Sequence, residues 1–278
     1  MTVENPAHVE MSGVRKVQFN ATEGSIIHSN ELRDRAPRVA EYRTDLPNYI
    51  VFPFINKHER PEFDKEAQEL TARLLLEAFP GIAPDYLIGI GNSGIPLAHA
   101  VSRELQANGA RPQFVEVTNL EGLDEDKRPE GGFVFTAHSY SRQKEIQFHL
   151  PELLAGKTAL VIDDVLAEGG ISQDVLRQIL SLGVDVKGFG VYFTKLWEGG
   201  VEKIVNEFGI PIVAAIAIAK KEGEKLIFVP DDETFVRYEK PDPSESRDSN
   251  AVRNGHLTEA YRMRGTNAPR YPTNDIQK

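Results

Sequence analysis

The stretch Ala159–Ser172 reads A-L-V-I-D-D-V-L-A-E-G-G-I-S, and it decides the fold that we expect. Its first residues are almost all apolar, which is typical of a buried central strand in a parallel sheet. Two adjacent acids follow, then a short spacer, two glycines and the start of a helical pattern. Because ligands of open α/β sheets bind at the carboxyl ends of the strands, the loop Ala167–Ser172 is predicted at a binding edge.

The residue types around this loop suit a sugar phosphate. Gly169 and Gly170 let the backbone approach a ligand closely, and free N–H groups at the following helix start favour an anion. Ser172 can add a hydroxyl donor. Asp163 and Asp164 point to opposite faces of a strand end, so one or both can accept from sugar hydroxyls or hold a hydrated Mg²⁺. Each feature alone also fits an ordinary turn or a helix cap, but their combination favours a phosphate site.

Around this stretch, apolar segments of strand length alternate with segments of helical spacing. Strands are predicted at Tyr49–Phe54, Tyr86–Ile90, Gln113–Val117, Phe133–Ala137, Glu145–His149, Thr158–Ile162, Asp185–Phe193, Ile212–Ala219 and Leu226–Val229. Helices are predicted at Glu62–Phe79, Gly94–Gln106, Ile171–Leu182 and Gly200–Phe208. The alternation predicts an α/β fold in which helices cover both faces of a mainly parallel sheet.

Both ends of the chain and one loop differ from this pattern. Residues 1–45 are polar and mixed in charge, and we treat them as an N-terminal extension with a short strand at Val14–Phe19. The predicted domain is residues 46–239. Residues 240–278 contain four prolines and few apolar side chains, which predicts a disordered tail. Asn119–Gly132 is rich in charge, contains three glycines and is long enough to form a flexible lid.

The composition excludes several classes of protein. The chain has 278 residues, no cysteine and a formal net charge of −10. It can therefore form no disulfide, thiolate metal site or cysteine nucleophile, and its charge disfavours binding to nucleic acid. The first residues show no basic-then-apolar pattern, and the longest apolar run, Ile210–Ala219, is too short for a membrane helix. We expect a cytoplasmic protein without a membrane partner.

The segment Asp163–Gly170 resembles the ribose-phosphate signature of the type I phosphoribosyltransferases. In that family the acids contact the ribose hydroxyls of 5-phosphoribosyl-1-diphosphate (PRPP), and the loop binds its 5-phosphate. The resemblance implies a sheet with a small hood and a flexible lid loop, a homodimer, and Mg²⁺ held by Asp163 and Asp164 directly or through PRPP and water. Where this chain has Glu168 the family usually has Thr or Asn. A carboxylate about 4 Å from a phosphate would cost roughly 4 kcal/mol, so Glu168 must point away, be protonated, or mark altered ligand use.

Two further segments resemble the parts of this family that bind diphosphate. Ile88–Ala98 is similar to its first strand, diphosphate loop and helix, which implies that Ser93 and Gly94 face diphosphate. Ser139–Lys144 resembles the flexible loop of the xanthine and adenine branch, where hydroxyls and a cation close over diphosphate. This second resemblance implies contacts from Ser139, Ser141, Arg142 and Lys144. An exposed hairpin turn explains Lys144 equally well.

The segment Gly190–Gly200 is similar to the xanthine-type pattern of a strand, Glu-Lys, one residue, an aromatic and then a glycine, although Thr194 replaces the Glu. The resemblance implies that Lys195 meets an oxygen of the purine and that Trp197 covers the ring. A cation suits a 6-oxo group and does not suit the amino group of adenine. Surface charge and core packing are the simpler alternatives for these two side chains. A weaker resemblance around Phe54–Asn56 implies that Asn56 contacts the base.

Together the resemblances, over about Tyr49–Phe228, imply a purine phosphoribosyltransferase. The enzyme would join a 6-oxopurine such as xanthine to PRPP and release diphosphate, with Asp163, Asp164 and Arg142 as catalytic residues. A non-catalytic regulator that binds PRPP or a nucleotide remains the main alternative, since Glu168 fits a loss of turnover. Transfer to orotate is a weaker alternative. A dinucleotide-binding oxidoreductase is weaker still, because no acid follows G-I-G-N-S-G at the expected spacing.

Overall fold

A computed structural model of the chain describes residues 7–39, 41–42, 50–51, 61–139, 144–223 and 225–242. The predicted strand at Tyr49–Phe54 is described only at its residues 50 and 51. Three predicted site residues, Asn56, Ser141 and Arg142, lie outside the described residues, as does almost all of the predicted tail. Of the described helices, none has the length and apolar character that crossing a membrane requires.

A ten-stranded sheet forms the centre of the described structure. Its strands are β1 (Arg15–Gln18), β4 (Tyr86–Ile90), β5 (Gln113–Asn119), β6 (Phe133–Ser139), β7 (Lys144–Leu150), β8 (Thr158–Leu166), β9 (Asp185–Lys195), β10 (Ile212–Glu222), β11 (Lys225–Phe228) and β12 (Val236–Glu239). They are arranged in the order β1-β12-β10-β9-β8-β4-β5-β7-β6, and β11 pairs with β10. Two short strands, β2 (Glu41–Tyr42) and β3 (Ile50–Val51), pair with each other separately.

The middle of the sheet is parallel and contains a reversal of strand order. β10, β9, β8, β4 and β5 pair in parallel, so their carboxyl ends lie along one edge. The chain passes from β4 outward to β5, and later from β8 outward in the opposite direction to β9 and β10. The order therefore switches between β4 and β8, which is where open α/β sheets bind their ligands.

Helices cover both faces of this sheet, as the alternation in the sequence predicts. α4 (Gly170–Ser181) and α5 (Gly200–Phe208) pack on one face, whereas α1 (Glu23–Val39), α2 (Pro61–Glu77) and α3 (Gly91–Ala107) pack on the other. The sequence of β8 explains why both faces are covered. Its residues Ala159 and Val161 pack on the side of α4 and α5, and Leu160 and Ile162 pack on the side of α1 to α3. A strand with apolar side chains on both faces must be covered on both sides. The expected fold class is confirmed.

The N-terminal region is more ordered than the sequence predicts. The expected short strand at Val14–Phe19 is confirmed by β1, but β1 pairs antiparallel with β12, a strand that we did not predict. α1 was also missed. Besides Leu32, it buries three polar side chains that are hydrogen-bonded: Ser25 donates to Glu77 at 2.9 Å, Ser29 donates to the carbonyl of Ala215 at 3.2 Å, and His28 lies 3.0 Å from the hydroxyl of Thr71. A helix held by such bonds shows little apolar periodicity.

The predicted hairpin is confirmed by β6 and β7, which pair antiparallel from Phe133↔Leu150 to Ser139↔Lys144. The loop Asn119–Gly132 lies along β7. At its start, the amide of Leu120 donates to the carbonyl of Gln147 at 2.9 Å, and at its end a ring nitrogen of His149 lies 2.6 Å from the carbonyl of Gly131. Both ends of this loop are therefore fixed to the hairpin.

Candidate functional site

The two acids lie inside β8 rather than after it. We expected the strand to end at Ile162, but the ladder with β9 continues through Asp163 to Leu166. The carboxyl of Asp163 accepts from Ser172 on α4, and that of Asp164 is hydrogen-bonded to Ser93 on α3. The two carboxyls are also hydrogen-bonded to each other, and a Cβ at Gly94 on α3 would lie 3.1 Å from Oδ1 of Asp163. That the two acids point to opposite faces therefore stays a prediction.

Asp163 is held in a largely buried position. Only 8% of it is exposed, its Oδ1 accepts the amide of Asp164 at 2.8 Å, and its Oδ2 accepts the hydroxyl of Ser172 at 3.3 Å. Burial raises the pKa of Asp163 well above its ordinary value, and the neighbouring charge of Asp164 raises it further. The Ser172 hydroxyl, predicted as a phosphate donor, is therefore bonded to a carboxylate in this structure.

Asp164 and the start of α3 meet across the switch point. Burial raises the pKa of Asp164, and hydrogen bonds from Asp163 and Ser93 oppose that rise. Next to Ser93, a side chain at Gly94 would place its Cβ 2.9 Å from the Cα of Asp163 and 3.1 Å from the carbonyl oxygen of Ile162. Such a separation is too short for a Cβ atom, so glycine is required for α3 to begin directly against β8.

Two helices begin at the carboxyl edge of the sheet without side-chain caps. α4 begins at Gly170 within the segment Ala167–Ser172, here called the phosphate loop, and its N-cap Gly169 has a left-handed φ of 81°. α3 begins at Gly91 after β4. No described side chain caps either helix, and neither has an acid in its first turn. Because the first N–H groups of a helix have no intrahelical partners and carry its positive dipole end, this edge favours anions from two directions.

A second loop packs against the phosphate loop. We call Lys195–Gly200 the base loop; it follows β9 and leads into α5. The amide of Gly200 donates to the carbonyl of Ala167 at 2.9 Å, and a Cβ at Gly200 would overlap that carbonyl. A Cβ at Gly169 would lie only 3.3 Å from the Cα of Gly200. The two loops therefore touch backbone to backbone, and Thr194 adds a hydrogen bond from its hydroxyl to the carbonyl of Leu166 at 3.2 Å.

The base loop holds a buried cation beside a carboxylate. Lys195 is 3% exposed, and its Nζ lies 3.6 Å from Oε1 of Glu198. Burial lowers the pKa of Lys195, while the charges of Glu198 and Asp164 oppose this change. Burial raises the pKa of Glu198, Lys195 opposes the rise, and the charge of Glu168 adds to it. Trp197 is half-buried and packs against the apolar layer of α1 to α3, so core packing accounts for part of its surface.

Glu168, the residue that departs from the family pattern, is half-buried at the end of the phosphate loop. Its carbonyl oxygen accepts a hydrogen bond from Nζ of Lys203 at 3.1 Å. Its charge is one cause of the raised pKa of Glu198 in the base loop. Which of the three options holds for Glu168 stays a prediction.

The hairpin reaches the same region through α4. The amide of His138 donates to Oδ2 of Asp174 on α4 at 3.1 Å, which fixes the end of β6 near the phosphate loop. Ser139 follows and is 3% exposed. Lys144, at the start of β7, is exposed and forms an ion pair with Glu121 of the loop Asn119–Gly132. A cation predicted to face diphosphate is therefore bound to a carboxylate in this structure.

Three charged residues of the region were not predicted from the sequence: Glu198, Lys203 and Lys221. Lys221 was missed because we ended the strand at Ala219, whereas β10 continues to Glu222 and carries Lys221 to where its charge acts on Lys195. Glu198 could have been suspected from its place directly after Trp197. Its pairing with Lys195 depends on the tight turn at residues 196–198, which no periodicity in the sequence signals.

Comparison with known proteins places this geometry in a family. Residues 57–199 match the family described as phosphoribosyl transferase domain. The chain is 27% identical over 215 residues to a xanthine phosphoribosyltransferase of Listeria monocytogenes, covering 76% of this chain and 96% of that protein. It is 28% identical over 157 residues to an orotate phosphoribosyltransferase of Caldanaerobacter subterraneus, covering 56% of this chain and 66% of that protein.

Among solved structures, an adenine phosphoribosyltransferase of Thermoanaerobacter pseudethanolicus has the same fold. It superposes with a TM-score of 0.52 at 18% identity, covering 68% of this chain and 99% of that chain. The expected enzyme class and the type I resemblance are confirmed. These three relatives are named for three different bases, so the base must be argued from the site itself. The chain belongs to the phosphoribosyl transferase domain family.

Proposed function

We propose that this chain transfers the 5-phosphoribosyl group of PRPP to a 6-oxopurine, with xanthine as the first candidate, and releases diphosphate. The observation that carries the proposal is the buried cation Lys195 at the carboxyl end of β9, next to the phosphate loop. An ammonium group can only donate hydrogen bonds, so it matches the exocyclic oxygen at C6 and not the amino group of adenine. The relative from Listeria, which is named for xanthine, supports the same choice.

The proposed position of PRPP follows from the two uncapped helix starts. The 5-phosphate binds the N–H groups of the phosphate loop, which comprises Ala167, Glu168, Gly169, Gly170, Ile171 and Ser172. The diphosphate binds at the start of α3 beside Ser93 and Gly94. The ribose then spans the switch point, where Asp163 and Asp164 can accept hydrogen bonds from its hydroxyls.

Mg²⁺ is the cofactor that this site fits. Among the described residues, no group of three or more His, Asp or Glu side chains is placed to hold a metal ion. Mg²⁺ does not need such a group, because it is commonly bound by one or two carboxylates together with substrate phosphates and water. Asp163 and Asp164 can supply that share. When bound, the ion would neutralise charge on the diphosphate leaving group.

The residues of the chain would act mainly by positioning. The transition state of glycosyl transfer carries positive charge on the ribose, so the reaction needs a base and a diphosphate held in line with it. Trp197 would offer a flat surface to the purine ring, and Asn56 would contact its edge. Ser139, Ser141, Arg142 and Lys144 of the hairpin would close over diphosphate and exclude water. We further propose a cytoplasmic homodimer with no nucleic-acid partner.

Nucleotide formation tests the proposal directly. The purified protein is incubated with Mg²⁺, PRPP and each of xanthine, hypoxanthine, guanine, adenine and orotate, and the products are separated by chromatography. We expect a nucleotide from at least one 6-oxopurine and none from orotate. Product from adenine or orotate alone would refute the choice of base. Binding of PRPP without product from any base would favour the alternative of a non-catalytic regulator.

A further inference from the structure

The carboxylate of Glu198 is poorly satisfied in this structure. It is 11% exposed, and its Oε1 lies 3.6 Å from Nζ of Lys195, which is longer than a hydrogen bond. In the described structure this buried oxygen has no hydrogen-bond partner. A buried acceptor without a donor is costly, so such a group in a binding cleft indicates a missing partner.

The surroundings of this oxygen place it in the proposed site. Thr194, the residue before Lys195, pairs with Leu166 of β8, and the amide of Gly200, two residues after Glu198, donates to the carbonyl of Ala167. The Lys195–Glu198 pair therefore lies in a segment held against the end of β8 and the phosphate loop, and the charges of Asp164 and Glu168 act on it. Further charges close to the pair come from Lys203 on α5 and Lys221 on β10. A base bonded to the ribose would reach this same region.

The pair offers one donor and one acceptor side by side. A 6-oxopurine presents the opposite pattern on adjacent ring positions, because O6 accepts and N1–H donates. Adenine presents an amino donor at C6 and an acceptor at N1, which would set a lone pair against a carboxylate. With Lys195 facing the 6 position, as proposed above, the pair matches the first kind of base and rejects the second through two contacts instead of one.

We infer that Glu198 determines specificity by accepting a hydrogen bond from N1–H of the base, while Lys195 donates to O6. This inference rests on the proposed function, since it concerns the base that the same site takes. It explains why a carboxylate is kept beside a lysine at a distance that leaves its oxygen open.

The Glu198→Gln variant separates the two roles, because it keeps the shape of the side chain and removes its charge. We expect kcat/KM for the best 6-oxopurine to fall about 10- to 100-fold, the value of a hydrogen bond to a charged group. KM for PRPP should stay within about twofold. If Glu198 were only the counterion of Lys195, the variant would free the lysine and kcat/KM would be unchanged or higher, which would overturn the inference.

Methylation of the base at N1 gives an independent test. The methyl group removes the donor, so wild type should lose activity toward the 1-methyl base. In Glu198→Ala, which has neither the acceptor nor its bulk, the penalty for methylation should shrink by about tenfold or more. An unchanged penalty would overturn the inference. Glu31→Gln, the same change at an exposed position of α1, is the matched control and should alter neither measurement.

If the proposed function itself is wrong, the activity assays give a different result from the one expected if only the role of Glu198 is wrong. Wild type would then form no nucleotide from any 6-oxopurine, whatever residue occupies position 198. In that case calorimetric binding of xanthine in the presence of PRPP, compared between wild type and Glu198→Gln, decides the inference by itself. A loss of affinity of about tenfold supports it, and equal affinity or no binding by wild type overturns it. Thermal unfolding of each variant shows whether the fold is kept.

Discussion

The phosphate loop and the base loop lie side by side but are built in different ways. In the phosphate loop the proposed binding groups are backbone amides, since Gly169 has a left-handed φ and no described side chain caps α4. In the base loop the proposed binding groups are side chains, Lys195 and Glu198, each with a pKa shifted by burial. Backbone groups suit a phosphate that every substrate shares, whereas side chains suit the base that distinguishes one substrate from another.

This difference has a consequence for how the loops respond to change. Backbone amides remain hydrogen-bond donors whatever side chain they carry. Phosphate binding by the phosphate loop should therefore respond mainly to substitutions that change the backbone conformation. Burial favours the neutral form of an ionisable side chain, so substrate binding by the base loop should be sensitive to changes of charge near Lys195 and Glu198. Substitutions that change shape and substitutions that change charge should therefore affect the two loops differently.

The largest loss of activity is expected on substitution of Asp164, which interacts with residues on both sides of the proposed site. Its carboxylate is bonded to Ser93 near the diphosphate position, and its charge also acts on Lys195 of the base loop. Asp164→Asn removes charge-assisted hydrogen bonds to the ribose, and we expect kcat/KM to fall by roughly 100-fold or more. Steady-state kinetics with PRPP and the best base measure this loss. Asp185→Asn, at the opposite end of the parallel strands, is the control, and equal activity in both variants would remove Asp164 from the mechanism.

Gly200→Ala should break the contact between the loops. The added methyl would overlap the carbonyl of Ala167, so the backbone of one loop must move. Forcing a group into a packed contact costs about 1–3 kcal/mol of the free energy of unfolding. Since the phosphate loop and the base loop both shift, KM for PRPP and KM for the base should rise together. Urea unfolding and steady-state kinetics measure the two effects.

A matched substitution shows whether the effect belongs to the contact. Gly24→Ala lies in α1, where a Cβ would meet no atom within 4 Å. Because alanine favours a helix by about 1 kcal/mol over glycine, this variant should be as stable as wild type or more stable. If Gly200→Ala raised KM for only one of the two substrates, the loops would act independently.

The pKa of Asp163 predicts a dependence of stability on pH. Its folded-state pKa is raised above the ordinary value of 3.8, chiefly by burial. The folded state therefore holds this proton more tightly than the unfolded state, so the contribution to stability is present below pH 3.8 and is lost as pH rises through the folded pKa. Asp163→Asn removes the buried charge and should raise the free energy of unfolding near neutral pH.

The difference between Asp163→Asn and wild type should shrink as the pH is lowered, because wild type then carries a neutral side chain as well. Chemical unfolding across the acid to neutral range measures it. Asp126→Asn, on the exposed loop Asn119–Gly132, should show no such trend. A difference that grew toward low pH would mean that Asp163 is charged and stabilised in the fold. Activity should fall in Asp163→Asn even as stability rises, which is common where a site carries buried charge.

The same contrast explains what could be predicted from the sequence. The phosphate loop is a local arrangement, and its strand, adjacent acids and glycines stand together in Asp163–Gly170, so its place in the fold follows from spacing alone. The base loop was predicted only by resemblance and only in part. Lys195 was found, but the role of its neighbour Glu198 depends on burial and on a turn that one sequence does not reveal. The pairing of Lys144 with Glu121 was missed because it joins two loops that are distant in the chain.

The smallest effect is expected at Glu168, where the family pattern and the geometry of this chain disagree. If its carboxylate faced the 5-phosphate directly, Glu168→Thr would improve PRPP binding by a large factor, since roughly 4 kcal/mol of repulsion would be removed. The charge of Glu168 also acts on Glu198, and we propose that the side chain points away from the phosphate. We therefore expect only about a two- to fivefold decrease in KM for PRPP, as for a partly screened charge, and a smaller decrease at high salt.

Glu168→Thr should also lower the pKa of Glu198 in the base loop, because the charge of Glu168 is one cause of its raised pKa. The pH below which 6-oxopurine turnover declines should then move to a lower value, since Glu198 stays charged further into the acid range. A gain of 100-fold or more in PRPP affinity, about 2.7 kcal/mol, would place Glu168 against the phosphate. That outcome would show that the phosphate loop, too, is governed by a side chain, and the contrast between the two loops would no longer hold.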